Sequence, residues 1–83
     1  MTQPDKGLSK EEAELVVMLA EECSEVVHIC MKILRHGTYS CHPDLPEKTN
    51  IMRLIEELRD VNTVILLMEE SGYIENTTLD ATQ

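Results

Sequence analysis

Two stretches decide the fold: residues 15–34, LVVMLAEECSEVVHICMKIL, and residues 51–68, IMRLIEELRDVNTVILLM. In the first, apolar residues recur at Leu15, Val16, Leu19, Cys23, Val26, Val27, Ile29, Cys30, Ile33 and Leu34. Steps of three and four bring such side chains to one side of an α-helix. Working outward, Ser9 and Glu12 have capping-box spacing, which predicts a helix start at Ser9. Gly37 is the natural stop, with Arg35 and His36 in the last turn. The predicted helix has about 27 residues and is roughly 40 Å long.

The second stretch repeats the period at Ile51, Leu54, Ile55, Leu58, Val61, Val64, Ile65, Leu66, Leu67 and Met68 and ends at Gly72. Its start is open between two readings. Asp44 with Glu47 has capping-box spacing and Pro46 would sit in the first turn, whereas Thr49 or Asn50 would cap a later start. Thr38 to about Leu45, which holds Tyr39, Ser40, Cys41, His42 and Pro43, has no period and is expected to be a loop. Residues 1–8 and 76–83 are expected to be flexible ends of a single domain spanning residues 1–83. There is no internal repeat and no low-complexity segment.

At 83 residues, a chain buries only about 60% of the surface its unfolded form exposes. Both helices carry apolar residues over more than one narrow stripe, with Val16, Val17, Leu66 and Leu67 widening the faces. A lone hairpin cannot cover them. The expected architecture is therefore all-α: a hairpin of two long helices that completes a four-helix bundle by oligomerisation, as a homodimer or homotetramer. A core of Leu, Ile, Val and Met suits a chain with two Tyr and no Phe or Trp.

Asp and Glu number 16 against 7 Lys and Arg, a formal charge of −9, and no basic run exists to follow a phosphate backbone. Nucleic acid is not an expected partner. No apolar stretch approaches the roughly 20 residues that span a bilayer, so no membrane association is expected either. Cys23, Cys30 and Cys41 are an odd number, two of them in a helical pattern, and read as reduced thiols of a cytoplasmic protein.

Most of the acids read as solvated surface, but four do not. On a helical projection Glu22 falls near the middle of the sector formed by Leu15, Leu19, Val26, Ile29 and Ile33, with Glu25 on its border. In the second helix Glu57 projects between Val61, Val64 and Met68, with Asp60 three residues on. Carboxylates facing an apolar seam need a positive charge. Lys32, Arg35, Lys48, Arg53 and Arg59 offer ion pairs as one solution. A hard dication such as Mg²⁺ is the better match to oxygen ligands on neighbouring helices of a bundle. Di-iron chemistry is disfavoured because only Glu25 and His28 have Glu-x-x-His spacing, with no counterpart in the second helix. Zinc at Cys30, His36, Cys41 and His42 lacks a recognised ligand spacing.

Glu21-Glu22-Cys23-Ser24-Glu25 matches EExxE, and Glu57-Leu58-Arg59-Asp60 matches ExxD. Together they resemble the signature of the MazG-like all-α nucleotide pyrophosphohydrolases. The likeness runs from about Leu15 to Met68, and Arg35-His36-Gly37 followed by Asn50 is similar to small phage-encoded members. The separation between the two motifs slightly exceeds the usual one, which is attributed to the loop at 37–49. The resemblance implies hydrolysis of a nucleoside triphosphate between the α and β phosphates, giving the monophosphate and pyrophosphate, with Mg²⁺ as cofactor and Mn²⁺ as a substitute. It implies Glu22, Glu25, Glu57 and Asp60 as metal ligands, with Glu21 a further ligand or the base that activates water. The candidate phosphate and nucleotide contacts are Lys32, Arg35, Lys48, Asn50 and Arg53. The competing reading is a non-catalytic acidic helical dimer that binds nucleotides or a basic protein partner. A bundle in which a metal serves only stability is a third.

Overall fold

The computed structural model describes residues 6–75; residues 1–5 and 76–83, and with them most of the two expected flexible ends, lie outside the described residues. Helix α1 spans Lys10–His36, 27 residues. The capping box forms as expected: Ser9 Oγ accepts from the Glu12 N–H at 3.1 Å and Glu12 Oε1 accepts from the Ser9 N–H at 2.8 Å. These bonds occupy donors that the first turn cannot satisfy by itself. Gly37 stops the helix with φ at 102° and donates its N–H to Ile33 O at 2.8 Å.

The connection is more ordered than a loop. Strand β1 (Cys41–His42) pairs antiparallel with strand β2 (Leu45–Thr49) through a turn at Pro43 and Asp44, with an irregularity in the register between Cys41 and His42. The fold is thus mostly helical, compatible with the expected helical hairpin, with a small two-stranded sheet where a loop was expected. Pro46 lies in β2 and not in a first helical turn, so the Asp44 start of the second helix is also overturned. A strand with a free edge tolerates the missing proline N–H.

Helix α2 spans Asn50–Ser71. Thr49 is its N-cap, its Oγ1 accepting from the Met52 N–H at 3.3 Å. The two preceding orphan donors are met by the connection: Asn50 N–H donates to Ser40 O at 2.8 Å and Ile51 N–H to Thr38 O at 3.0 Å. Asn50 Nδ2 donates to Gly37 O at 3.1 Å and ties the end of α1 to the start of α2. These bonds decide where α2 begins. At its other end Gly72, with φ at 82°, closes the helix: Gly72 N–H donates to Glu69 O and Tyr73 N–H to Met68 O, both at 3.0 Å. This bond pair is the Schellman arrangement.

The two helices pack along the predicted faces. Ile29, Val64 and Met68 are buried, and Leu15, Leu19, Val26, Ile33, Leu54 and Val61 are half-buried around them. Each helix also carries a second apolar stripe, roughly 120° round from the first at 100° per residue. On α1 it includes Val16, Val27 (61% exposed) and Leu34 (77% exposed), and on α2 Ile55, Leu58 and Leu66. Among the described residues no helix is long and apolar enough to cross a membrane.

Candidate metal centre

Glu22 sits in the fourth turn of α1 and reaches across the seam to the second and third turns of α2. Carboxylate oxygens of Glu22, Glu57 and Asp60 all lie within 4.8 Å of one another, with Glu22 and Glu57 half-buried and Asp60 exposed. Helical geometry explains the gathering. Glu57 and Asp60, three residues apart, project from neighbouring points of one face, and Glu22 occupies the middle of the opposite face. Removal from water, and then the charges of Asp60, Glu57, Glu25 and Glu21, raise the Glu22 carboxyl above its ordinary value.

Ion pairing does not relieve this crowding. Among the described residues Lys48 Nζ pairs with Glu56 Oε2 at 3.1 Å, and His42 Nδ1, which accepts the Asp44 N–H, lies 3.8 Å from the Asp44 carboxylate; neither contact involves the cluster. The expected alternative, Lys or Arg locked onto these acids, is therefore absent among them. Three carboxylates without a protein counter-ion form a hard, oxygen-only donor set. Such a set would suit a hard dication such as Mg²⁺, which takes oxygen ligands and keeps several of its waters. Zinc-type donors are not gathered: among the described residues no group of three that includes His or Cys reaches comparable proximity. Cys23, Cys30 and Cys41 are free and exposed.

No known family model matches the chain, and neither a curated protein nor a solved structure does. Of the four acids expected to converge, three do. Glu25 is exposed and lies outside the three-residue group. One step of three residues from Glu22 rotates it by roughly 60° toward the edge of the seam, where it still raises the field at Glu22. Glu21 is exposed as well, and its backbone carbonyl accepts from Ser24 Oγ at 2.8 Å.

The candidate phosphate contacts divide in two. Lys32, Asn50 and Arg53 come together at the connection end of the helices, around a cavity of about 240 Å³ that is completed by His36 and by residues 40–43. Lys48 is on the outer surface in its pair with Glu56, and Arg35 is exposed and does not line the cavity. The cavity was not visible in the sequence, since it depends on the β1–β2 hairpin folding over Lys32 and Arg53. The nearest sequence signal was the Pro43-Asp44 pair between Cys41-His42 and Leu45, a turn motif.

Proposed function

We propose that this chain is a Mg²⁺-dependent nucleoside triphosphate pyrophosphohydrolase that releases a nucleoside monophosphate and pyrophosphate. One observation carries the reading: Glu22, Glu57 and Asp60 converge from two helices, within 4.8 Å of one another, and no Lys or Arg pairs with them among the described residues. Apposed carboxylates in this state repel and are costly to hold ionised, which is tolerable where a dication completes the site. The EExxE and ExxD motifs give the arrangement its chemical direction through their resemblance to the MazG-like enzymes.

In this reading Glu22, Glu57 and Asp60 would hold Mg²⁺, with Glu25 on the edge of the seam one turn away. When bound there, the ion neutralises phosphate oxygens and lowers the pKa of an attacking water. Glu21 and Glu25, both exposed, are the carboxylates placed to accept a proton at the rim of the cluster. Asp60 opens the cluster to solvent and so to an incoming triphosphate. The strongly acidic chain would otherwise repel such a substrate.

The second apolar stripes of α1 and α2 support a partner reading as well. We propose that they are covered by the same stripes of a second copy, giving the four-helix core of a homodimer, or of two such pairs in a homotetramer. The functional test is a panel of ribo- and deoxyribonucleoside triphosphates assayed for pyrophosphate release with Mg²⁺ and with Mn²⁺. Glu22→Gln and Asp60→Asn are expected to lower turnover by about a hundredfold or more, as loss of a metal ligand should, with helicity kept. Binding of nucleotides with no product from any member of the panel would favour the non-catalytic acidic dimer.

A further inference from the structure

The cavity at the connection end differs from the rest of the molecule in charge. Its lining contains no Asp or Glu, although the chain has 16 of them. Of the 7 Lys and Arg, only Lys32 and Arg53 are half-buried, and both line this cavity. Neither has an ion pair or a side-chain hydrogen bond among the described residues, whereas Lys48 is paired with Glu56. In so acidic a chain, the two most sheltered cations have been left without a carboxylate.

A sheltered cation without a counter-ion has lost hydration that nothing replaces, and two around one cavity also repel each other. An anion between them reverses both effects. The other lining groups fit such a guest. His42 Nδ1 accepts the Asp44 N–H at 3.1 Å, which leaves Nε2 as the ring nitrogen available to donate. Asn50 is fixed by its bond to Gly37 O, which makes the α2 side of the cavity rigid. Ammonium, guanidinium and imidazole N–H donors suit phosphoryl oxygens best. A volume of about 240 Å³ is below the roughly 300 Å³ at which sites for larger organic ligands begin. The guest should be compact.

We infer that this cavity is a binding site for a compact phosphoryl anion, recognised through Lys32 and Arg53 without a divalent cation. It is separate from the acid cluster. The two sites share no residue: Lys32 lies ten residues beyond Glu22, roughly 15 Å along α1, while Arg53 lies one turn before Glu57, roughly 6 Å along α2. The anion's source is either free diphosphate or the phosphate group of a nucleoside monophosphate.

The full-length protein, stripped with EDTA, would be titrated calorimetrically in two arms, with inorganic diphosphate and with a nucleoside monophosphate. One anion per chain is expected in at least one arm, and the tighter arm identifies the source. Lys32→Gln and Arg53→Gln, each checked for helicity, should weaken that binding about tenfold or more, the scale of one charge-assisted contact. Lys48→Gln should leave it unchanged, and Glu57→Gln, which removes a negative charge one turn from Arg53, should leave it unchanged or tighten it. The inference is overturned if neither anion binds without metal, if both cavity variants bind as the unmodified protein does, or if Glu57→Gln abolishes binding. The last result would mean that a metal retained at the acid cluster, and not the cavity, holds the anion, and would leave the hydrolase proposal intact. Conversely, anion binding as expected with no pyrophosphate release from any triphosphate would sink the hydrolase proposal alone.

Discussion

At Glu22, partial removal from water and four neighbouring carboxylates all favour the protonated acid. Its folded-state pKa is raised above the ordinary 4.5, so between that value and the raised one the native state holds more proton than the unfolded chain. Stability contributed by this group is then present at the acid end of the window and is lost as pH rises through it. In EDTA, the melting temperature of the unmodified protein is expected to fall from pH 4.5 toward neutrality more steeply than that of Glu22→Gln. Mg²⁺ at neutral pH should restore the unmodified protein and leave the variant unmoved. Parallel melting curves for the two proteins across this range would show that the cluster does not press on Glu22. The central place of Glu22 and Glu57 on their faces was readable from helical projection, because apolar neighbours at three and four residues define the seam. The exposure of Glu25 was a finer matter: a border position is decided by how the partner helix is rotated, which periodicity does not contain.

Among the elements, the ends of α1 were fully written in local sequence. A capping box at Ser9 and Glu12 and a glycine at 37 act within one turn, so spacing suffices. The start of α2 was not, since Asp44-Glu47 and Thr49 offered two local solutions of similar quality. Hydrogen bonds from Asn50 and Ile51 to Ser40 and Thr38, and from the Asn50 amide to Gly37, favour the later start, and they exist only once the connection has folded back. Two substitutions separate these contributions. Thr49→Ala removes a side-chain cap and is expected to reduce unfolding free energy by about 1 kcal/mol. Asn50→Ala strips a buried residue of its bond to the α1 terminus and should reduce it by about 1 to 3 kcal/mol. Urea denaturation followed by circular dichroism measures both. A smaller loss for Asn50→Ala than for Thr49→Ala would mean that local capping, and not the tie between helices, places α2. Gly72→Ala should also destabilise, by about 1 kcal/mol: open space surrounds the position, but φ is 82°, where an L side chain is strained.

For the whole molecule, the imbalance between covered and uncovered apolar surface dominates. Ile29, Val64 and Met68 alone are buried hydrophobics among the described residues, while Val27, Leu34, Ile55, Leu58 and Leu66 remain open. Covering one such side chain is worth roughly 1.5 to 3 kcal/mol, so a few contacts per copy rival the total stability of a small domain. Light scattering behind size exclusion should therefore report a dimer or tetramer, with a melting temperature that rises with protein concentration. Val27→Asp is expected to give monomer together with loss of cooperative melting. A monodisperse, cooperatively melting monomer of the unmodified chain would rule the four-helix core out. By itself the sequence determined the two helices, their inward faces and the acids lying on those faces, because each rests on interactions within four residues along the chain. The tertiary structure alone decided the β-hairpin, the exact set of carboxylates that meet and the acid-free cavity around Lys32 and Arg53. Those depend on residues far apart in the chain being brought within a few ångströms, and no local spacing encodes that distance.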